Sequence, residues 1–169
     1  MRVLEGTPEE IAEFLRLTRE VSGEETPETA DVLASSTGMS GMEVALFIDG
    51  RGRTAEGKER VKQYLDQLGD VEIVTGQSAR TKDGQTDYLM VRDNGKRRFG
   101  AVAYVKPANS GLTLRLTRDD VADIATECIH FRDVKDGHQY VVNCPLTSDE
   151  AVNWAVQLTQ RALEKVRSA

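Results

Sequence analysis

Three apolar runs separated by turn-forming residues occupy the middle of the 169-residue chain and constrain its fold more than any other feature. Asn94-Gly95 separates the first two runs, and this dipeptide closes tight hairpins because both residues accept a positive φ. Residues 107–111 separate the last two, and their proline ends a strand because it cannot donate to a ladder. Strands that meet turns at such short intervals predict an antiparallel meander. The three runs are residues 87–92, 99–106 and 112–116.

Helical patterns surround this predicted sheet. Thr54 caps a helix predicted over residues 54–68, in which apolar side chains recur at i, i+3, i+4 and i+7. A capping box precedes a long amphipathic helix predicted over 147–167, and a short helix is predicted over 119–128. The sequence therefore predicts an α+β fold in which helices pack against an antiparallel sheet meander. Further strands are predicted at 71–75, 129–131 and 139–144.

Two regions are predicted along the chain. Residues 1–50 form a helical N-terminal segment, and residues 51–169 form the α+β domain. The boundary lies in the polar, glycine-rich stretch over 49–53. The N-terminal segment contains a capping box and an apolar helical stripe over 7–21, followed by a pair of short helices over 30–49 that resembles a helix-turn-helix.

The second helix of that pair, over residues 39–47, is predicted to pack or to contact a partner. The surface that a recognition helix would offer to DNA has no side chain that can make a bidentate contact to a base. Contact with a protein partner or with a second copy of the chain would use the apolar side chains of Met39, Met42 and Leu46.

Charge is distributed unevenly along a chain whose formal net charge is −6 at pH 7. Residues 1–31 carry nine acidic and three basic side chains, whereas residues 80–118 carry nine basic and three acidic ones. The net charge argues against a protein that coats nucleic acid. The local charges predict either an anionic partner for the sheet or contact between the two regions, with two solvated faces of opposite sign as the alternative.

A basic cluster in the predicted sheet is the strongest candidate for a binding site. Cationic side chains on a sheet can hold phosphates, and neighbouring rings such as Phe99 and Tyr104 can stack on bases. An RNA-recognition motif is not predicted, because Arg98 stands where that motif has a glycine. The alternative is a solvated hairpin tip whose charges prevent edge-to-edge strand pairing. The cluster consists of Lys96, Arg97, Arg98, Lys106 and Arg115.

Both cysteines and both histidines lie within 17 consecutive positions: Cys128, His130, His138 and Cys144. Their spacing, C-x-H followed by H-x5-C, differs from the usual pairs of zinc ligands. Reduced, buried thiols and surface histidines are therefore expected, and zinc is the alternative. The sequence shows no nucleophile–base pair and no phosphate-binding glycine loop, so no cofactor is expected and a non-enzymatic role is favoured.

The composition, with 39% hydrophobic and 30% charged residues, is typical of a soluble globular protein. No apolar run approaches the ~18 residues of a membrane span. The N-terminus also lacks a basic and then apolar signal region. The expected location is therefore the cytoplasm, with no membrane association.

Several short motifs follow one another in an order that is also found in a known family. Gly95-Lys96 precedes a strand, residues 112–116 lead directly into an acidic helix start, and residues 137–142 read Gly-His-Gln-Tyr-Val-Val. A helix over 146–166 closes the chain. With the element order over 54–167, these motifs resemble the YjbR-type double-wing family and related predicted-transport-protein domains. The resemblance implies a double-wing sheet whose surface could contact DNA, without established catalytic residues.

These features lead to three hypotheses about function. The first is a small cytoplasmic binding or regulatory module without catalytic activity, which contacts nucleic acid through its basic hairpin. The second is a protein–protein adaptor or dimer that uses the helix over 39–47. The third is a small-ligand protein, a zinc protein or an enzyme centred on Cys128, His130 and His138.

Overall fold

The structure is a computed structural model that describes residues 38–169. The predicted helix over 7–21 and the first helix of the predicted pair lie outside the described residues. In the described part of the chain, three helices pack against one open sheet of six antiparallel strands, in the order β1-β2-β3-β4-β6-β5. The predicted α+β class and antiparallel meander are therefore confirmed. The strands are β1 (Val71–Gln77), β2 (Gln85–Asp93), β3 (Ala101–Lys106), β4 (Gly111–Leu114), β5 (His130–Phe131) and β6 (Val142–Pro145).

Strands β1 to β4 form the meander, and β6 returns to pair with β4, which places β5 at the outer edge. The connection between β2 and β3 differs from the predicted tight hairpin at Asn94-Gly95. The Asp93 carboxylate accepts hydrogen bonds from the backbone N–H groups of Gly95 and Lys96, at 2.9 and 2.8 Å. A 3-10 turn over Arg97–Phe99 follows, and Gly100 takes the positive φ of 72°. The Asp93 carboxylate therefore stabilises a turn that is longer than the predicted two-residue hairpin.

The helices begin at residues that satisfy their free N–H groups. Helix α1 (Gly41–Arg51) has a capping box between Ser40 and Glu43, and α2 (Ala55–Asp66) is capped by Thr54, as predicted. Helix α3 (Asp149–Arg167) is capped by Ser148, within the predicted capping box. In the described residues, no helix has both the length and the apolar character needed to span a bilayer.

The predicted helix over 119–128 is wrong, because only a 3-10 turn over Asp119–Val121 forms there. An α-helix would use the Asp120 carbonyl to accept the N–H of Ile124. Here the Ile124 N–H bonds to the Val121 carbonyl, and the Asp120 carbonyl accepts from the Arg161 guanidinium at 2.7 Å. The Arg161 side chain of α3 therefore takes the carbonyl acceptor that the Ile124 N–H would use in a helix.

The main core lies between the three helices and one face of the sheet. Ile48 of α1, Tyr64 of α2 and Leu158 of α3 are fully buried with residues of β2, β3 and β4. The Tyr64 hydroxyl lies 2.7 Å from the Thr159 hydroxyl, which links α2 to α3 inside this core. Helix α1 thus belongs to the same core as the elements that follow it.

Candidate functional site

Three residues of the predicted basic cluster are brought together at the end of the sheet where β2 ends and β3 begins. Lys96 and Arg98 lie in the connection between these strands, next to Phe99. Arg115 follows β4 and is brought to the same place by strand pairing, because its N–H donates to the Val102 carbonyl at 2.8 Å. We call Lys96, Arg98 and Arg115 the basic edge.

The basic edge is arranged around the half-buried ring of Phe99. The charged groups of Lys96, Arg98 and Arg115 lie 5.9, 4.9 and 5.9 Å from its centroid. The Arg115 guanidinium also donates to the Phe99 carbonyl, which holds the turn against the end of β4. Cations at these distances are attracted by the negative face of an aromatic ring, so the ring helps to keep three like charges close together.

The cations of the basic edge are not engaged by Asp or Glu side chains of the described part of the chain. In residues 38–169, none of the three cations pairs with an Asp or Glu side chain. The nearby Asp93 carboxylate is occupied by Arg167, at 2.6 Å, and Lys96 donates to the backbone oxygen of Ala169 at 3.3 Å. The basic edge therefore presents positive charge to solvent or to a ligand.

The other two residues of the predicted cluster are placed differently. Arg97 belongs to the same 3-10 turn as Arg98. Lys106 is the last residue of β3, so it lies about 17 Å along the strand from the start at Ala101. Lys106 is therefore too far away to bind one phosphate group together with the basic edge.

Two aromatic contacts extend the basic edge towards β5, and the sequence did not reveal them. The Arg115 guanidinium lies 5.9 Å from the Tyr140 ring as well, and the Arg118 guanidinium lies 4.3 Å from the Phe131 ring. In the sequence, Arg118 is distinguished only as one of the nine basic residues over 80–118. Its pairing with Phe131 depends on the place of β5 in the sheet, for which the local sequence carries no signal.

The predicted partner-binding residues lie on and just before α1. Met42 and Leu46 are 76% and 66% exposed, which makes them the most exposed large apolar side chains among the described residues. Met39 instead packs against the main core, and its N–H donates to the Ile73 carbonyl of β1 at 2.8 Å. Two of the three predicted residues are thus accessible to a partner.

The four Cys and His side chains do not form one site. Cys128 and His130 line a cleft of about 480 Å³ beside the N-terminus of α3, together with Ser148, Glu150 and Trp154. His138 is not part of the cleft lining, and its Nδ1 accepts the N–H of Tyr140. Within the described part of the chain, no group of three or more His, Cys, Asp or Glu side chains is placed to hold a metal ion.

Burial makes Cys144 unreactive. Its side chain is fully covered by the main core, and its Sγ lies 3.6 Å from the Ala151 carbonyl. Loss of solvent raises the pKa of this thiol to about 12, with a smaller contribution from nearby Cys128. The thiolate that would bind a metal or attack an electrophile is therefore absent at neutral pH.

Comparison with known proteins gives no relative from which a function could be transferred. Neither the models of protein families, nor the curated proteins, nor the solved structures contain a match to this chain. The resemblance to the YjbR-type double-wing family therefore stays a prediction.

Proposed function

We propose that this protein is a small cytoplasmic, non-enzymatic binding module whose basic edge contacts an anionic partner, with nucleic acid as the first candidate. The observation that carries this proposal is the grouping of Lys96, Arg98 and Arg115 around Phe99 without an Asp or Glu partner among the described residues. Three cations around one ring form a compact positive surface, although the net charge of the chain is −6.

The dimensions of the basic edge suit a phosphate backbone. Each charged group lies within 5.9 Å of one centroid, so no two of them are more than about 12 Å apart. Duplex DNA carries one negative charge per ~1.7 Å of its axis, so a short stretch of backbone offers a phosphate to each cation. Aromatic rings beside the cations add a surface for stacking or for contact with sugars.

The strand order weakens the alternative explanation of the cluster. Charged residues often prevent an exposed edge strand from pairing with another molecule. The edge strands of this sheet are β1 and β5, whereas the basic edge lies at the ends of the inner strands β2, β3 and β4. Protection against edge pairing is therefore not needed where these cations lie.

The proposal predicts salt-sensitive binding that depends on these cations. We expect Lys96→Gln/Arg98→Gln to weaken binding of a short labelled DNA duplex at least tenfold and to reduce the slope of log K against log salt by about 2, because two phosphate contacts are lost. Fluorescence anisotropy at low and near-physiological salt measures both quantities. The duplex can then be compared with single strands and with RNA.

A matched control distinguishes the loss of the basic edge from a general loss of positive charge. Arg80→Gln/Lys82→Gln removes the same charge from exposed positions in the same basic stretch, at the opposite end of β2. This variant should bind within about twofold of the wild type. The proposal would be contradicted if both variants lost the same affinity for the duplex, or if the wild type did not bind it at low salt.

The exposed apolar pair on α1 supports a second candidate function, self-association. Met42 and Leu46 are spaced i, i+4 on one side of the helix, where they are neighbours. In a two-fold symmetric contact, Met42 of one copy can lie against Leu46 of the other, and the adjacent Gly41 allows close approach.

Self-association would be visible in the solution mass. We expect the wild type to exceed the monomer mass of 18.7 kDa at high concentration, and Met42→Asp to restore the monomer, because a buried carboxylate would lose its hydration. Sedimentation equilibrium provides the measurement, with Gln63→Asp on the exposed side of α2 as the control. A monomeric wild type at every concentration would exclude this function.

A further inference from the structure

Phe131 ends a row of side chains that runs across the sheet. Strand pairing places Leu114 of β4, Val142 of β6 and Phe131 of β5 side by side, and the side chains of directly paired residues lie on the same face. Leu114 and Val142 are fully buried in the main core, whereas Phe131, on the outermost strand, is 42% exposed. The Phe131 ring therefore presents apolar surface that a ligand can cover.

A cation accompanies this ring. The Arg118 guanidinium lies 4.3 Å from the Phe131 centroid, and Arg118 is exposed. In the part of the chain that the structure describes, no Asp or Glu side chain forms an ion pair with Arg118. Asp120, two residues later, is engaged by Lys165 of α3 instead. Arg118 and Phe131 therefore repeat the combination of cation and ring that is found in the basic edge.

Strand order joins this pair to the basic edge. Arg115 follows β4, and Phe131 is the last residue of β5. Strand β6 lies between β4 and β5 and is antiparallel to both, so β4 and β5 end at the same end of the sheet. Two strand spacings of ~4.8 Å place these strand ends about 10 Å apart. We call Arg118 and Phe131, together with the basic edge, the extended edge.

We propose that the extended edge binds single-stranded nucleic acid, with its cations on the phosphates and an unpaired base stacked on Phe131 or on the outer side of the Arg118 guanidinium. This assignment rests on the function proposed above and adds the form of the nucleic acid. Proteins that bind single strands combine a positive surface along the backbone with aromatic side chains on which bases stack. Guanidinium planes stack on bases in the same way.

The exposed ring favours a single strand over a duplex. In a duplex, neighbouring base pairs cover both faces of each base, so a ring on the protein surface meets the sugars and phosphates of the backbone. The bases of a single strand are accessible, and a base stacked on Phe131 covers apolar surface that a phosphate leaves in water. A protein partner could cover the same ring, but the four cations of the extended edge favour a ligand with several negative charges.

The affinities for a single strand and for a duplex of the same length test the proposal. At low salt, we expect labelled oligothymidylate to bind the full-length wild type at least about tenfold more tightly than the duplex that it forms with oligoadenylate. Phe131→Leu keeps an apolar side chain but removes the stacking surface. It should weaken single-strand binding at least about fivefold and change duplex binding by less than about twofold. Phe131→Tyr keeps the ring and should retain the single-strand affinity. Fluorescence anisotropy measures each of these affinities.

An abasic strand of the same length gives an independent measurement, because it carries the same phosphates without the bases. The wild type should bind it no more tightly than the duplex. This comparison needs no variant, so it decides even if Phe131→Leu lowers the stability of the fold.

Two results would overturn the proposal: equal affinity of the wild type for the abasic strand and for oligothymidylate, or equal affinity of Phe131→Leu and the wild type for oligothymidylate. In either case, weaker binding by Lys96→Gln/Arg98→Gln would still support the proposed function. A wild type that bound neither the single strand nor the duplex at low salt would contradict both.

Discussion

Replacing Arg92 by leucine is expected to lower the free energy of unfolding by about 3–5 kcal/mol, the usual cost of breaking a buried ion pair from one side. The Arg92 side chain is almost completely buried, and the Glu72 carboxylate receives two of its N–H groups. In Arg92→Leu, the carboxylate keeps its charge in a poorly solvated place and loses this cation. Urea unfolding measures the effect, with the slope m checked for two-state behaviour.

The same substitution in an exposed pair serves as the control. Arg60 and Glu56 of α2 form an i, i+4 ion pair of 2.6 Å, but Glu56 is exposed. Arg60→Leu should change stability by no more than about 0.5 kcal/mol, because water solvates the remaining carboxylate.

Arg92→Leu/Glu72→Leu should recover much of the stability lost in the single variant, since two apolar groups replace the pair. A cost below about 1 kcal/mol for Arg92→Leu would show that the pair is solvated.

Leu158→Ala is expected to destabilise the protein by about 2–5 kcal/mol. Leu158 is fully buried between α3 and the sheet, where α3 contacts β2, β3, β4 and β6. Truncation removes the transfer free energy of its methyl groups and leaves a cavity that the rigid sheet cannot fill. Thermal and urea unfolding, together with the near-ultraviolet signal of Trp154 on the same helix, would measure the loss.

The neighbouring residue provides the control for helix propensity. Gln157 directly precedes Leu158 in α3, and its side chain is exposed. Gln157→Ala should therefore change the free energy of unfolding by less than about 0.5 kcal/mol. If Leu158→Ala costs no more than Gln157→Ala, α3 is not packed on the sheet as described.

The features that the sequence determined by itself are local ones. Thr54 and Ser148 cap helices because their side chains bond to N–H groups three residues away. The apolar runs in the middle of the chain became β2, β3 and β4, because β-branched and apolar residues bounded by turn residues favour strands over any alternative. The α+β class and the antiparallel meander follow from these local preferences.

Interactions between distant positions decided the rest. Asp120 accepts a bond from Arg161, 41 positions later, so the helix predicted after it does not form. Arg115 reaches Phe99, 16 positions earlier, through the pairing of β4 with β3, whereas Lys106 in the same basic stretch is carried to the other end of the strand. The sequence by itself determined which side chains are available and where the main strands and the capped helices lie. Only the tertiary structure decided which cations share one site, because strand order and register place residues side by side regardless of their separation along the chain.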